Sequence, residues 1–131
     1  MSLKPEDLQI LADCPSEIIS GPVNVVALAH DSRGRIAVVP AGRKWLIAFV
    51  EVNSVAGAAA TVWIVPSGES VVTTTVKWTV IPTITLTAGT AQTRVAVMDR
   101  PIRVMMPGDS IWLKGGSTLI NLYVLGWEVS L

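Results

Sequence analysis

The stretch Val104-Met105-Met106-Pro107-Gly108-Asp109-Ser110-Ile111-Trp112-Leu113 narrows the folding choices of this chain more than any other. An apolar run meets a Pro-Gly-Asp corner, and a second apolar run leaves it. Proline holds φ near −65°, glycine reaches positive φ, and aspartate bonds its own backbone. Beyond the corner the pattern alternates, with Ile111 and Leu113 on one side and Ser110, Trp112 and Lys114 on the other, as in a strand. Pro107, Gly108 and Asp109 are therefore read as a structural turn between two strands.

The same grammar recurs. Pro40-Ala41-Gly42, Pro66-Ser67-Gly68, Ala88-Gly89-Thr90 and Gly115-Gly116-Ser117 separate segments rich in Val, Ile, Thr and Trp. Turn signals at this spacing indicate a sandwich or barrel of short strands. No self-repeat of the length used by solenoids and propellers occurs. Lys44 to Asn53 is apolar on both of its faces. Strict alternation would put Trp45, Ile47 and Phe49 on one side and Leu46, Ala48, Val50 and Val52 on the other. Both faces must then be covered. Pro82 is expected to interrupt a strand that begins at Thr75, so that this region is an edge or a bend, and Asp99-Arg100-Pro101 to separate two strands.

Helical periodicity is confined to Pro5 to Ala12. Pro5 suits a first helical position, Glu6 and Asp7 favour the helix N-terminus, and Leu8 and Leu11 share a face. A helix this short cannot stand alone in water. The chain is thus expected to hold an arm with a short helix over residues 1–21 and one β-sandwich domain over residues 22–131. The sandwich should contain about eight to ten strands, in line with the usual size of double-sheet domains.

Composition bears on the outside of that domain. Charged residues make up 15% of the 131 and hydrophobic residues 50%. Soluble domains average roughly 25% charged. Polar surface is too scarce for a comfortable monomer, which points to a subunit that buries its outside against partners. A membrane span is not expected, because no run of about 18 apolar residues exists. Ten basic and ten acidic side chains give a formal net charge of zero, so no broad nucleic-acid surface is expected. Adhesion to a partner should then rest on apolar fit and weaken little with salt. The acidic start is unlike a signal peptide, and synthesis in a cytoplasm is expected.

Catalytic and metal-binding patterns are lacking. His30 is the single histidine and Cys14 the single cysteine, too few for a zinc site. Asp31, Asp99 and Asp109 sit in turn contexts, which account for them without a cation. Glu51 and Glu69 are the nearest thing to a glycosidase pair, and nothing in the sequence brings them together. No cofactor, metal or catalytic group is expected. Five tryptophans against one Tyr and one Phe suit gap filling in a core or between subunits, and also sugar stacking. Leu8, Leu11, Trp45 and Trp112 are the candidate interface residues.

The order of pieces resembles a known family. Val38-Val39-Pro40-Ala41-Gly42-Arg43-Lys44, Val65-Pro66-Ser67-Gly68, Ile84-Thr85-Leu86-Thr87-Ala88-Gly89-Thr90 and the Pro-Gly-Asp corner look like the small jelly-roll virion proteins of tailed bacteriophages. The likeness covers roughly Pro40 to the C-terminus. It implies a jelly-roll-like antiparallel β-sandwich acting as a capsid cement or decoration subunit. Such a subunit forms a homo-oligomer on the virion surface, bound to the major capsid protein. The alternative is a tail or fibre head domain that binds a receptor or glycan. Residues 1–21 leave little room for a fibre shaft, which favours cement. A sugar-active enzyme is a third reading. The corner shared with cupins comes without their metal-binding histidines. If the corner is structural, Gly108→Val should destabilise the protein by about 1–3 kcal/mol, the scale of a strained backbone; an unchanged melting temperature would contradict the turn.

Overall fold

The computed structural model describes residues 16–19, 22–24, 33–53, 58–69, 77–86, 94–115 and 119–131. The chain forms the expected all-β architecture, with two antiparallel sheets packed as a sandwich. The first sheet contains β1 (Ser16–Ile19), β2 (Pro22–Asn24), β4 (Arg43–Asn53), β7 (Arg94–Met105) and β9 (Leu119–Ser130). Its order is β1-β9-β4-β7, with β2 also on β9. The second contains β3 (Arg33–Val38), β5 (Ala58–Val65), β6 (Trp78–Leu86) and β8 (Ser110–Gly115). Its order is β3-β8-β5-β6. The pairing is nested: β2 with β9, β3 with β8, β4 with β7 and β5 with β6. No helix occurs among the described residues, and the helix expected over Pro5 to Ala12 lies outside them. Residues 16–19, on the arm side of the expected domain boundary, pair with β9 and extend the first sheet.

Trp45, Ile47, Val50 and Val52 of β4 meet Ile120, Leu122 and Val124 of β9 between the sheets. Val62, Ile64, Ile81, Ile111 and Leu113 come from the second sheet. This corrects the strict alternation expected along β4. A bulge between Ile47 and Phe49 shifts the register against both β7 and β9. An extra residue reverses the phase of side chains beyond it. Trp45 and Ile47 before the bulge therefore share the core with Val50 and Val52 after it, and Phe49 turns outward.

Two expected breaks are absorbed within strands. β6 runs through Pro82, and β7 runs through Pro101. On β7, Met98 and Arg103 pair with Phe49 and Ile47, so residues 99–102 are accommodated opposite Ala48 alone. Both strands are sheet edges, the first of the two places expected for the Pro82 region, and there a missing N–H interrupts no central ladder. The Arg103 guanidinium lies 4.9 Å from the centre of the Trp78 ring, linking β7 to β6 across the two sheets.

Three turns of one design close one end of the sandwich. The N–H of Arg43 donates to the carbonyl of Pro40 (3.2 Å), that of Glu69 to Pro66 (3.1 Å) and that of Asp109 to Met106 (3.0 Å). The third residue of each is glycine, with φ of 75° at Gly42, 80° at Gly68 and 86° at Gly108, the pattern of a type II turn. The Asp109 carboxylate ties two of them together. Its Oδ2 accepts from the N–H of Met106 (2.9 Å) and its Oδ1 from the N–H of Ser67 (3.0 Å). The third joins through Val39, whose carbonyl accepts from Gly108 (3.0 Å) and whose N–H donates to the Asp109 carbonyl (2.9 Å).

A Cβ at Gly108 would collide with Oγ of Ser67 and lie 2.8 Å from its Cβ, whereas one at Gly42 would meet nothing within 4 Å. Gly42→Ala should therefore lose about 1 kcal/mol to backbone strain alone. Gly108→Ala should lose more, and Ser67→Gly should recover part of the difference. Equal losses in urea unfolding would show that Ser67 does not crowd the corner.

Candidate functional site

The described site residues expected from the sequence fall in different places. Leu8 and Leu11 lie outside the described residues, as do His30 and Cys14. Trp45, expected at an interface, is 6% exposed and belongs to the core. Its indole N–H donates to Oε2 of Glu128 at 2.7 Å. A ring held between the sheets has little surface to offer a partner. Pro107, Gly108 and Asp109 form the turn that joins the loops at one end. Trp112 is half-buried on β8, and its N–H donates to Oγ of Ser110 at 2.9 Å.

Ser110 and Trp112 alternate with the core residues Ile111 and Leu113, so they lie on the outer face of the second sheet. Trp112 is directly opposite Trp63 on β5 and Arg35 on β3. Trp63 is in turn opposite Thr79 on the edge strand β6. Arg35, Trp112, Trp63 and Thr79 thus make one row across the sheet. The neighbouring row holds Arg33, Lys114 and Thr61. The face is a pair of adjacent indoles bordered by cations.

The outer face of the first sheet is different. Val104, Leu46 and Trp127 form one cross-strand row, and Leu46 is fully buried within it. In the next row Phe49 is opposite Leu125, and Leu125 is opposite Glu17 of β1. Beyond it Glu51 is opposite Tyr123, and Asn53 is opposite Asn121. The Asn121 amide donates to the Asn53 carbonyl oxygen at 2.8 Å. Glu17, Phe49, Glu51, Tyr123 and Leu125 line a shallow, open depression of about 250 Å³.

Glu17, rather than Glu69, is therefore the carboxylate that shares a surface with Glu51. Glu69 is exposed in the turn at the other end of the sandwich. Glu17 escapes the sequence because β1 pairs only with the far end of the chain. Phe49 and Glu51 escape it because the bulge at Ala48 puts them on the outside. One signal was available: in Val50-Glu51-Val52 the charge points outward, which conflicts in phase with an inward Trp45 and Ile47.

Among the described residues no group of three His, Cys, Asp or Glu side chains could hold a metal ion, and no helix is long and apolar enough to cross a membrane. The arrangement is suited to contact: rings and aliphatic groups on both outer faces, with charges at their borders. Comparison with protein-family models, curated proteins and solved structures finds no match to this chain.

Directly opposed aromatic residues on neighbouring strands stabilise one another by about 0.2–1 kcal/mol. A double-mutant cycle on Trp63→Ala and Trp112→Ala should return a coupling of that size in urea unfolding. Strictly additive losses would show that the two rings do not support each other.

Proposed function

We propose that the protein is a non-enzymatic virion subunit of the jelly-roll decoration type. It assembles as a homo-oligomer on the surface of a phage head, bound to the major capsid protein, after synthesis in the host cytoplasm. The observation that carries this reading is the outer face of the first sheet. Val104, Trp127, Phe49, Leu125 and Tyr123 are only half-buried there, although the opposite face of the same sheet already supplies the core. A sheet with apolar residues on both faces is suited to cover on both. Burying such surface contributes roughly 25 cal/mol per Å² before association costs. The nested strand pairing supports the jelly-roll form, since a long hairpin wrapped into two sheets pairs its first strands with its last.

The depression favours a second reading. Phe49 and Tyr123 beside Glu17 and Glu51 combine ring stacking with hydrogen-bond acceptors, which suits a sugar. That would make the protein a receptor- or glycan-binding head of a tail or fibre.

The test is retention on shells assembled from the phage's major capsid protein without this subunit. The full chain should bind shells saturably and sediment as an oligomer, with little loss as salt rises past the screening range. A chain lacking residues 1–15 should remain folded and bind less. Equal binding would remove the arm from the interface. A full chain that ignores shells but binds a glycan would replace the capsid reading with the receptor reading.

A further inference from the structure

Three side chains on the outer face of the first sheet are buried where no described element covers them. Leu46 is 0% exposed in the row it shares with Val104 and Trp127. Lys44 and Val129, opposite each other two positions further on, are 2% and 3% exposed. All three lie outside the core between the sheets, and alternation turns them away from it. Val129 has a described strand on one side only, because β1 pairs with β9 no further than Gly126. A lysine on an open sheet face would keep its ammonium in water. Among the described residues every strand belongs to one of the two sheets, so none lies over this patch and its cover comes from elsewhere in the chain.

The strand topology narrows the source. The patch is at the turn end, where Leu131 bonds to Gly42. Residues 25–32, 54–57, 87–93 and 116–118 join strands at the opposite end. Residues 70–76 leave β5 at the turn end but return to β6, in the second sheet. Residues 1–15 enter the first sheet itself at Ser16, opposite Gly126, and antiparallel pairing heads the chain before Ser16 toward Trp127 and Val129. We infer that residues 1–15 pack on the outer face of their own first sheet, over Lys44, Leu46 and Val129. Neighbouring strands are about 4.8 Å apart, and Pro5 to Ala12 as a helix would be about 12 Å long, enough to cross β9 and β4. Leu8 and Leu11 supply the apolar side of the contact, and Glu6, Asp7 and Asp13 supply the charge that a buried ammonium attracts. The inference goes beyond the reading of the protein as a virion subunit and does not depend on it. It divides the outer face in two: the turn end is closed by the chain's own arm, and the depression lined by Phe49 and Tyr123 stays open.

Crosslinking in the full chain tests the contact. Cys14→Ser removes the single cysteine, and Gln9→Cys then takes a benzophenone maleimide. After illumination the label should be joined to residues 43–47 or 127–131 of its own chain, at the mass of one chain. Attachment to the second sheet, attachment only between copies, or no attachment at all would overturn the inference. Thermal melting gives a readout independent of the label. Leu8→Ser with Leu11→Ser should lower the melting temperature, and so should Val129→Ala. Combined, the two losses should overlap, because both empty one contact. Strictly additive losses, or arm changes without effect, would overturn the inference as well. Retention on shells is a separate measurement, so the capsid reading stands or falls independently of these results.

Discussion

The ladder between β4 and β9 is the constraint on which the first sheet depends. It runs from Arg43 opposite Ser130 to Asn53 opposite Asn121. Every other strand of that sheet pairs with one of these two. Both strands are central, so both must satisfy their backbone groups on two sides and cover two faces. Gly126 shows how closely β9 is flanked by β4 and β1. A Cβ there would collide with the Leu46 carbonyl and lie 3.0 Å from Cδ1 of Ile18. The bulge at Ala48 then divides the side chains of β4 between the core and the outer depression. Its position decides that Trp45 is internal and that Phe49 and Glu51 face outward.

The two ends and edges of the sandwich are stabilised by different means. At the turn end, three similar turns are joined through one carboxylate and one short backbone segment. Hydrogen bonds to a charged acceptor are stronger than neutral ones, and Asp109 makes two of them to separate turns. The C-terminus is held at the same end, where the N–H of Leu131 donates to the Gly42 carbonyl at 3.0 Å. At the side where β6 and β7 meet, proline in each edge strand withholds a donor from neighbouring chains. The edges are thereby blunted, while the outer faces carry Trp63, Trp112, Phe49, Tyr123 and Trp127.

Much of the fold was legible in the sequence because turns and alternation are local. Pro-Gly-Asp, Pro-Ala-Gly and Pro-Ser-Gly each specify φ values within four residues, and the three glycines adopt positive φ. Period-two patterning places Ile111 and Leu113 inward and Trp112 outward without knowledge of any partner. Tertiary structure alone decided the rest. A bulge arises from mismatch between neighbouring strands, so Ala48 carries no mark of it in its own residue type. Glu17 and Glu51 are brought onto one face because β1 and β4 both flank β9, a consequence of long-range pairing. The nearness of Ser67 to Gly108, and of Trp45 to Glu128, likewise comes from segments far apart in the chain. Local sequence sets backbone angles and periodicity; which faces coincide is set by the register of strands that only the closed sandwich brings together.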